Sequence, residues 1–148
     1  MTSNETVVRR WVEEMWNGPD RSLCGELIAD RFIEHARAPF SETEPGEGDG
    51  PAMMRSAMDW LLAQFPDLSM SVEAIVSAGD IVAVRVRSEG TNTGPLNGVL
   101  PPTGMRFSSE QSHWFRLTDG KIAEHWATRD DLTAMVQLGM VGGPPRPS

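Results

Sequence analysis

The spacing of apolar residues changes once along this chain, near residue 66, and no other feature limits the fold as strongly. Before that point apolar side chains recur three or four positions apart, as on helices with one buried face. After it they alternate with polar side chains, as on strands that bury one face. The predicted elements are helices over residues 7–16, 23–28 and 51–65, an extended segment from residue 32, hairpins over 72–86 and 106–128, and a short helix over 132–138.

Helices that precede hairpin-connected strands predict an α+β fold, in which three N-terminal helices and a short C-terminal helix cover a curved antiparallel sheet. A strongly bent sheet leaves a cone-shaped hollow under its helices, and the inner strand faces then line a pocket. The length of 148 residues predicts one domain over residues 1–148, with frayed ends at 1–5 and 142–148. Residues 38–50, rich in Pro, Gly, Ser and Glu, are predicted to form a surface loop that could act as a lid.

Charge and targeting signals exclude several classes of function. The chain carries 13 basic and 21 acidic side chains, for a formal net charge of −8, and its Lys and Arg residues do not cluster as phosphate binding requires. Residues 1–5 lack the apolar segment of a signal peptide, and no stretch has the roughly 18 apolar residues of a membrane span. A single cysteine, Cys24, suits a reducing compartment. We therefore expect a cytoplasmic protein with no nucleic-acid or membrane partner.

The second hairpin carries the best candidates for chemistry. On its first strand one face holds Gln111 and His113 and the other holds Trp114, and Arg129 ends the second strand. An imidazole with an ordinary pKa of about 6.5 suits proton transfer at neutral pH, so His113 in mid-strand is a candidate base. A buried histidine bonded to a backbone carbonyl is an equally common role. If the odd-numbered face lines the hollow, Arg129 enters it as well.

Three further polar residues allow two interpretations each. Asp130 and Asp131 could enter the hollow beside Arg129, or could cap the final helix by accepting its free N–H groups. Inside the hollow, the guanidinium would favour ionisation of the carboxyl group and desolvation would oppose it. His35 could point into the hollow or towards solvent.

Sequence motifs for bound cofactors are missing. The chain has no G-x-G-x-x-G, no G-x-x-x-x-G-K-[ST], no H-E-x-x-H, no cysteine pair, and no His followed two residues later by Asp or Glu. It also lacks the G-x-S-x-G nucleophile motif. We expect no bound metal or redox cofactor, and we expect acid and base side chains in a cavity to perform any chemistry.

Short segments along the chain resemble those of one known family. They are Val8-Arg9-Arg10-Trp11, Trp16-Asn17-Gly18, Phe65-Pro66-Asp67, Pro101-Pro102-Thr103-Gly104, Asp119-Gly120-Lys121-Ile122-Ala123-Glu124-His125-Trp126 and Gln137-Leu138-Gly139. In this order and spacing they resemble the SnoaL-like polyketide cyclase family. The resemblance implies the cone-shaped α+β barrel shared with nuclear transport factor 2, scytalone dehydratase and ketosteroid isomerase, with an apolar cavity under the helices.

The resemblance implies two kinds of chemistry. In cyclases of this family an Asp is the base for intramolecular aldol closure of an anthracycline precursor, and a His on the preceding strand helps to hold the substrate. That His corresponds to His113, but the position of the Asp is occupied by Ala127. The segment from His125 to Asp131 is more similar to the hydroxylase branch, which introduces a hydroxyl group on the anthracycline ring system without bound metal or flavin.

We therefore predict hydroxylation of an aromatic polyketide, with aldol cyclisation and non-catalytic small-molecule binding as alternatives. Molecular oxygen would be the co-substrate, and a separate NAD(P)H reductase would first reduce a quinone substrate. Asp130 or His113 would remove a proton, and Arg129 would stabilise the resulting anion.

The other predicted site residues would contact the substrate. They are His35, Trp16, Met54, Met58, Gln111, Trp114 and Trp126. Core packing is the alternative role of the Met and Trp residues in this set. Relatives of this fold commonly pair through the outer face of the sheet, which predicts a homodimer.

Overall fold

The computed structural model describes residues 1–39 and 44–142, which form a curved six-stranded sheet with four α-helices. The helices are α1 (Ser3–Arg10), α2 (Leu23–Leu27), α3 (Gly50–Gln64) and α4 (Asp131–Gln137). The strands are β1 (Ile28–Glu34), β2 (Gly46–Asp49), β3 (Ser69–Ala78), β4 (Ile81–Thr91), β5 (Arg106–Thr118) and β6 (Lys121–Arg129). They lie in the order β2-β1-β6-β5-β4-β3. The predicted α+β architecture is confirmed.

The first helix continues beyond α1 as one wider, π-helical turn over Trp11–Trp16. The N–H of Asn17 bonds to the carbonyl of Val12, five residues earlier, at 3.1 Å. The side chain of Asn17 then bonds to both backbone groups of Met70 at the start of β3. This turn buries Trp11, Val12, Met15 and Trp16. It therefore directs two tryptophans towards the inner face of the sheet.

Helix α3 lies close against β1 because its first residue has no side chain. A Cβ on Gly50 would stand 2.0 Å from the carbonyl oxygen of Ala29, so only glycine permits this approach. Asp49 caps the helix by accepting a bond from the N–H of Ala52, and Pro51 occupies the first turn. The start of α3 agrees with the prediction to within one residue.

Strands β3 to β6 form the predicted antiparallel hairpins. In the β5–β6 pair, Gln111 lies opposite Arg129 and His113 lies opposite Ala127. A β-bulge near Ala123 shifts the register at the start of β6. Odd-numbered residues beyond the bulge therefore share the inner face with the odd-numbered residues of β5.

The sheet differs from the prediction at its β1 edge. Strand β1 pairs in parallel with β6, so the expectation of a wholly antiparallel sheet was wrong there. Ile28, predicted as helical, begins β1, and residues 46–49 of the predicted loop form β2 beside it. The pairing of β1 with β6 joins distant segments, and the glycine-rich edge strand β2 has no apolar alternation to reveal it. Residues 40–43 of that loop lie outside the described residues.

The two ends of the chain were both predicted to fray. Residues 3–5, expected to fray, belong to α1 because Thr2 and Glu5 form a capping box. Residues 143–148 lie outside the described ones. None of the helices formed by the described residues is long and apolar enough to cross a membrane.

Candidate active site

A cavity of about 600 Å³ lies between the inner face of the sheet and the covering helices. Its volume falls within the range of roughly 300 to 1,000 Å³ typical of small-molecule sites. Much of the wall is apolar, including Trp11, Trp16, Phe32, Met54, Leu61 and Met70. The polar wall residues on the sheet include Glu34, Gln111, His113, His125 and Arg129. The hollow expected from the strand alternation is therefore present.

Four of these side chains form a continuous line of hydrogen bonds, called the polar chain below: Glu34, His125, His113 and Gln111. The carboxylate of Glu34 lies 2.8 and 2.9 Å from Nδ1 of His125. Nε2 of His125 lies 2.8 Å from Nδ1 of His113. Nε2 of His113 lies 2.8 Å from Oε1 of Gln111. Every nitrogen of the two imidazoles thus has a partner.

The strand register explains why these residues meet. His113 and Gln111 are two positions apart on β5, so both point to the inner face. His125 lies opposite Phe115 on the neighbouring β6. Glu34 is the parallel partner of His125, and its carboxylate also accepts a bond from the N–H of Ala36. The polar chain therefore runs across three adjacent strands, from β1 through β6 to β5.

His113 is held neutral in this environment. It is 5% exposed, and burial lowers its pKa well below the ordinary value, because a buried imidazolium would lose its hydration. The neighbouring His125 and the positive charge of Arg129 lower this pKa further. At neutral pH His113 is therefore uncharged, which is the state that a general base requires.

Aromatic rings enclose the two histidines. The ring centroid of Trp11 lies 5.3 Å from that of His113 and 5.8 Å from that of His125. Phe115 lies 5.1 Å from His125, and the two imidazoles are stacked at 5.1 Å. These contacts fix the orientation of both imidazoles.

Arg129 brings a positive charge to the same wall. Its side chain is 11% exposed, and Nη2 donates to the backbone carbonyl of Arg37 at 2.5 Å. Its one ion pair among the described residues is long, 3.4 Å from Nε to the carboxylate of Asp131. Because a weakly paired guanidinium retains most of its field, Arg129 can stabilise negative charge that develops in the cavity.

The neutral state of His113 predicts a loss of stability on mild acidification. In the unfolded chain this imidazole gains a proton below about pH 6.5, whereas its pKa in the folded protein is lower. The unfolded state then binds more protons, so the free energy of unfolding falls by about 1.4 kcal/mol per pH unit for one such group. We expect His113→Gln to remove this slope. Urea denaturation at about pH 7 and about pH 5.5 measures it, and equal slopes in both proteins would contradict the assignment.

Comparison with known proteins shows the family. The model of the SnoaL-like polyketide cyclase family matches residues 6–138. This chain belongs to that family. One relative is the aklanonic acid methyl ester cyclase DnrD of Streptomyces peucetius, which is 33% identical over 140 residues that cover 94% of this chain and 92% of DnrD.

Solved SnoaL-like structures agree with this assignment. IdmH of Streptomyces antibioticus, described as a candidate polyketide cyclase, is 31% identical with a TM-score of 0.79, over 93% of this chain and 99% of IdmH. AclR of Streptomyces galilaeus, described as a candidate hydroxylase, is 29% identical with a TM-score of 0.77, over 97% of this chain and 85% of AclR. Cyclisation and hydroxylation, the two reactions predicted from the sequence, are therefore each named for a similar protein.

The structure shows which residues surround the position that holds the aldol base in SnoaL-like cyclases. The resemblance assigns that position to Ala127, which lies directly across the β5–β6 pair from His113. The site lacks a carboxylate there, but His113 reaches the carboxylate of Glu34 through His125. A histidine with a distant carboxylate thus lies beside the position from which the expected base is missing.

Asp130 does not lie in the cavity wall, and the prediction that it removes a proton conflicts with its position. It is exposed and caps α4, accepting bonds from the backbone N–H and the hydroxyl of Thr133. The hydroxyl bond, and then the backbone bond, lower the pKa of this carboxyl group. Of the two interpretations left open, capping is the one that the structure shows.

We expect Asp130→Ala to lower the melting temperature by a few degrees at neutral pH and to leave turnover unchanged. Because the folded pKa of Asp130 is lowered, its stabilising effect is present above the ordinary aspartate value of about 3.9 and is lost as the pH falls through the folded value. Thermal melts of both proteins at neutral and at strongly acidic pH test this. A large loss of turnover with an unchanged melt would restore Asp130 to the site.

Four predicted substrate contacts also lie away from the cavity wall. Trp114 and Trp126 are paired on the outer face, because even-numbered residues of β5 and β6 point outward. His35 stacks on Trp126 at 4.6 Å and pairs with Glu124. Met58 is fully buried in the core, where the thiol of Cys24 contacts its sulfur. Trp16, Met54 and Gln111, by contrast, line the cavity together with His113 and Arg129.

Two residues of the polar chain were missed as candidates from the sequence. His125 shares the odd-numbered face of β6 with Arg129, so the alternation that selected Arg129 could also have selected it. Glu34 has no such signal, because its contact depends on the parallel pairing of β1 with β6. Among the described residues, no group of three or more His, Cys, Asp and Glu side chains is arranged to hold a metal ion.

Proposed function

We propose that this protein catalyses an intramolecular aldol closure of an aromatic polyketide of the anthracycline type. The proposal adopts the alternative considered from the sequence in place of hydroxylation. The observation that carries it is the polar chain, in which two buried histidines offer a neutral imidazole in a largely apolar cavity. DnrD, which is 33% identical to this chain, is named a cyclase, and this supports ring closure as the type of reaction.

The reaction begins when a proton leaves a substrate carbon that lies next to a carbonyl group. His113 accepts this proton at Nε2 when that atom carries no hydrogen, because its lowered pKa keeps the ring uncharged at neutral pH. The resulting enolate carries negative charge on oxygen. Arg129, on the same cavity wall, stabilises that charge, an effect typically equivalent to about 3 kcal/mol for one preorganised donor.

The enolate carbon then attacks a ketone carbonyl of the same molecule. One C–C bond forms, the carbonyl oxygen becomes an alkoxide, and this alkoxide takes up a proton, so the product has the composition of the substrate. Trp16, Met54 and the other apolar wall residues hold the substrate with its two reacting carbons close together.

Incubation with aklanonic acid methyl ester under isotopically labelled oxygen tests the proposal. We expect a product of unchanged mass that elutes separately from the substrate and carries no label. The His113→Gln variant is the matched control for spontaneous ring closure. Unchanged substrate, or ring closure at the same rate with the variant, would contradict the proposal.

Hydroxylation is the second candidate, supported by the similarity to AclR. It would require molecular oxygen as co-substrate and a separate NAD(P)H reductase for a quinone substrate, and the same experiment with a reductase added would place the label in the product. Binding without conversion under both conditions would favour the non-catalytic alternative. The expectation that no metal or redox cofactor is bound stays a prediction.

The homodimer also stays a proposal. On the outer face Trp114 is 49% exposed and lies between Ala83 of β4 and Trp126 of β6, which makes an apolar row across the sheet. If two copies pair through this row, Trp114→Glu should give a folded monomer, which sedimentation and circular dichroism would detect together. Identical sedimentation of both proteins would exclude this interface.

A further inference from the structure

We propose that Glu34 and His125 store one proton for His113, and that the side-chain amide of Gln111 rotates by half a turn when this proton enters or leaves the polar chain. His113 would be the residue that exchanges the proton, and Glu34 and His125 would be positioning residues that act through it. The catalytic consequence rests on the proposed aldol function. The storage of the proton itself does not.

Hydrogen-bond counting defines a first state of the polar chain. Oε1 of Gln111 can only accept, so Nε2 of His113 must carry the hydrogen of their 2.8 Å bond. A neutral His113 then has a lone pair on Nδ1, and Nε2 of His125 must donate to it. Nδ1 of His125 donates to the carboxylate of Glu34. His125 therefore carries two hydrogens and a positive charge next to Glu34.

A second state keeps both imidazoles and the carboxylate of Glu34 in place and has one proton fewer. If the Gln111 amide turns by half a rotation, its NH₂ group donates to Nε2 of His113. His113 now holds its hydrogen on Nδ1 and donates to Nε2 of His125, which keeps its own hydrogen on Nδ1 for Glu34. All three hydrogen-bonded contacts persist. The two states differ by the proton on Nε2 of His113 and by a shift of one hydrogen between the rings.

His113 is neutral in both states, and this is why its deep burial is compatible with proton exchange. The charge appears only on His125, where the carboxylate of Glu34 compensates it at 2.8 Å. Trp11 and Phe115, within 6 Å of the His125 ring, add favourable cation–π contacts. Arg129, which lowers the pKa of His113, opposes a positive charge on that ring.

Other charged side chains face the same space from neighbouring segments. Arg37, Glu44 and Asp49 line the cavity, and Arg37 pairs with Glu44. In the described residues, only Glu34 places a carboxylate within bonding distance of either imidazole of the polar chain.

Both states are used once per turnover, which starts from protein molecules that have lost the stored proton to solvent. The proton-poor state takes the proton from the substrate carbon and becomes proton-rich. The proton-rich state returns a proton to the alkoxide after the C–C bond has formed. Proton uptake and release balance, and no other acid or base is required.

Nuclear magnetic resonance of protein labelled with ¹⁵N in histidine tests the proposal without substrate. At neutral pH we expect both nitrogens of His125 and only Nε2 of His113 to carry hydrogens. Raising the pH should remove one proton, and the signals of both rings should change together in a single transition. Independent transitions of the two rings, or a hydrogen on Nδ1 of His113 at neutral pH, would overturn the proposal. The wild-type titration alone decides this.

Glu34→Gln is the informative variant, with Glu124→Gln as its control. An amide cannot compensate a charged His125, so we expect Glu34→Gln to hold the proton-poor pattern at neutral pH. Glu124 pairs with His35 and Arg116, which are not part of the polar chain. The Glu124→Gln variant should therefore keep the wild-type pattern of hydrogens on the two histidines. A wild-type pattern in Glu34→Gln would also overturn the proposal.

The turnover assay separates the two proposals. With cyclisation established, Glu34→Gln should lower kcat at least tenfold with a small change in KM, and its pH profile should move. Coupled histidine titration without cyclisation would refute the proposed function alone. Cyclisation with independent histidines would refute proton storage alone.

Discussion

Replacing His113 by asparagine is expected to lower kcat for the proposed cyclisation by a factor of about 10² to 10⁴, the usual contribution of a positioned general base. Asparagine can bond to its neighbours but cannot take a proton from carbon. The loss should appear in kcat, since the apolar wall that holds the substrate is unchanged. Steady-state kinetics with aklanonic acid methyl ester measures it.

His35→Asn is the control for His113→Asn. His35 is 38% exposed on its side chain and stacks on Trp126 away from the cavity, so its replacement should leave both kinetic constants near those of the wild type. Comparable losses in both variants would mean that histidine removal acts through the fold. Full activity in His113→Asn would assign proton removal to another group.

Replacing Arg129 by methionine is expected to lower kcat by a factor of about 10² to 10³, because the enolate oxygen of the proposed reaction then loses one preorganised donor. Methionine retains much of the apolar volume of the arginine stem at this nearly buried position. Arg129→Lys should restore part of the loss, since it keeps the charge but loses the planar fork. The ratio of kcat to KM across the three proteins measures the effect.

Arg106→Met is the matched control for Arg129→Met. Arg106 pairs with Glu89 and has a side chain 58% exposed, so its removal should change little. A higher KM with an unchanged kcat in Arg129→Met would show that Arg129 binds the bound substrate and the transition state equally well. Such a result would remove it from the stabilisation of the enolate.

The fold could be predicted from the sequence wherever neighbouring segments pair with each other. The change of apolar spacing located the helices and both hairpins, and the alternation along β5 placed Gln111 and His113 together on one face, which is the inner one. Arg129 was expected in the hollow only if the odd-numbered face lined it, and it does. Hairpin register is a local property, so a single sequence contains enough information to infer it.

The remaining errors have two causes: a residue can have a local alternative role, and the sequence does not show which distant elements meet. Asp130 directly follows β6, a strand that lines the cavity, but its carboxylate caps the N-terminus of α4. Met58 has the helical spacing of a wall residue but packs against Cys24 in the core. Glu34 became visible only through the parallel pairing of β1 with β6. Residue type and spacing could not distinguish these outcomes.

The pairing of β1 with β6 also determines when the site can exist during folding. Glu34 and His125 are 91 positions apart in the sequence, so their contact forms only after a long segment of chain has been closed into a loop. The hairpins over the second half can form earlier, because their partners are close in sequence. A folding intermediate with an intact meander would therefore have both imidazoles but no carboxylate beside them. Recovery of activity during refolding should lag behind recovery of β-sheet structure.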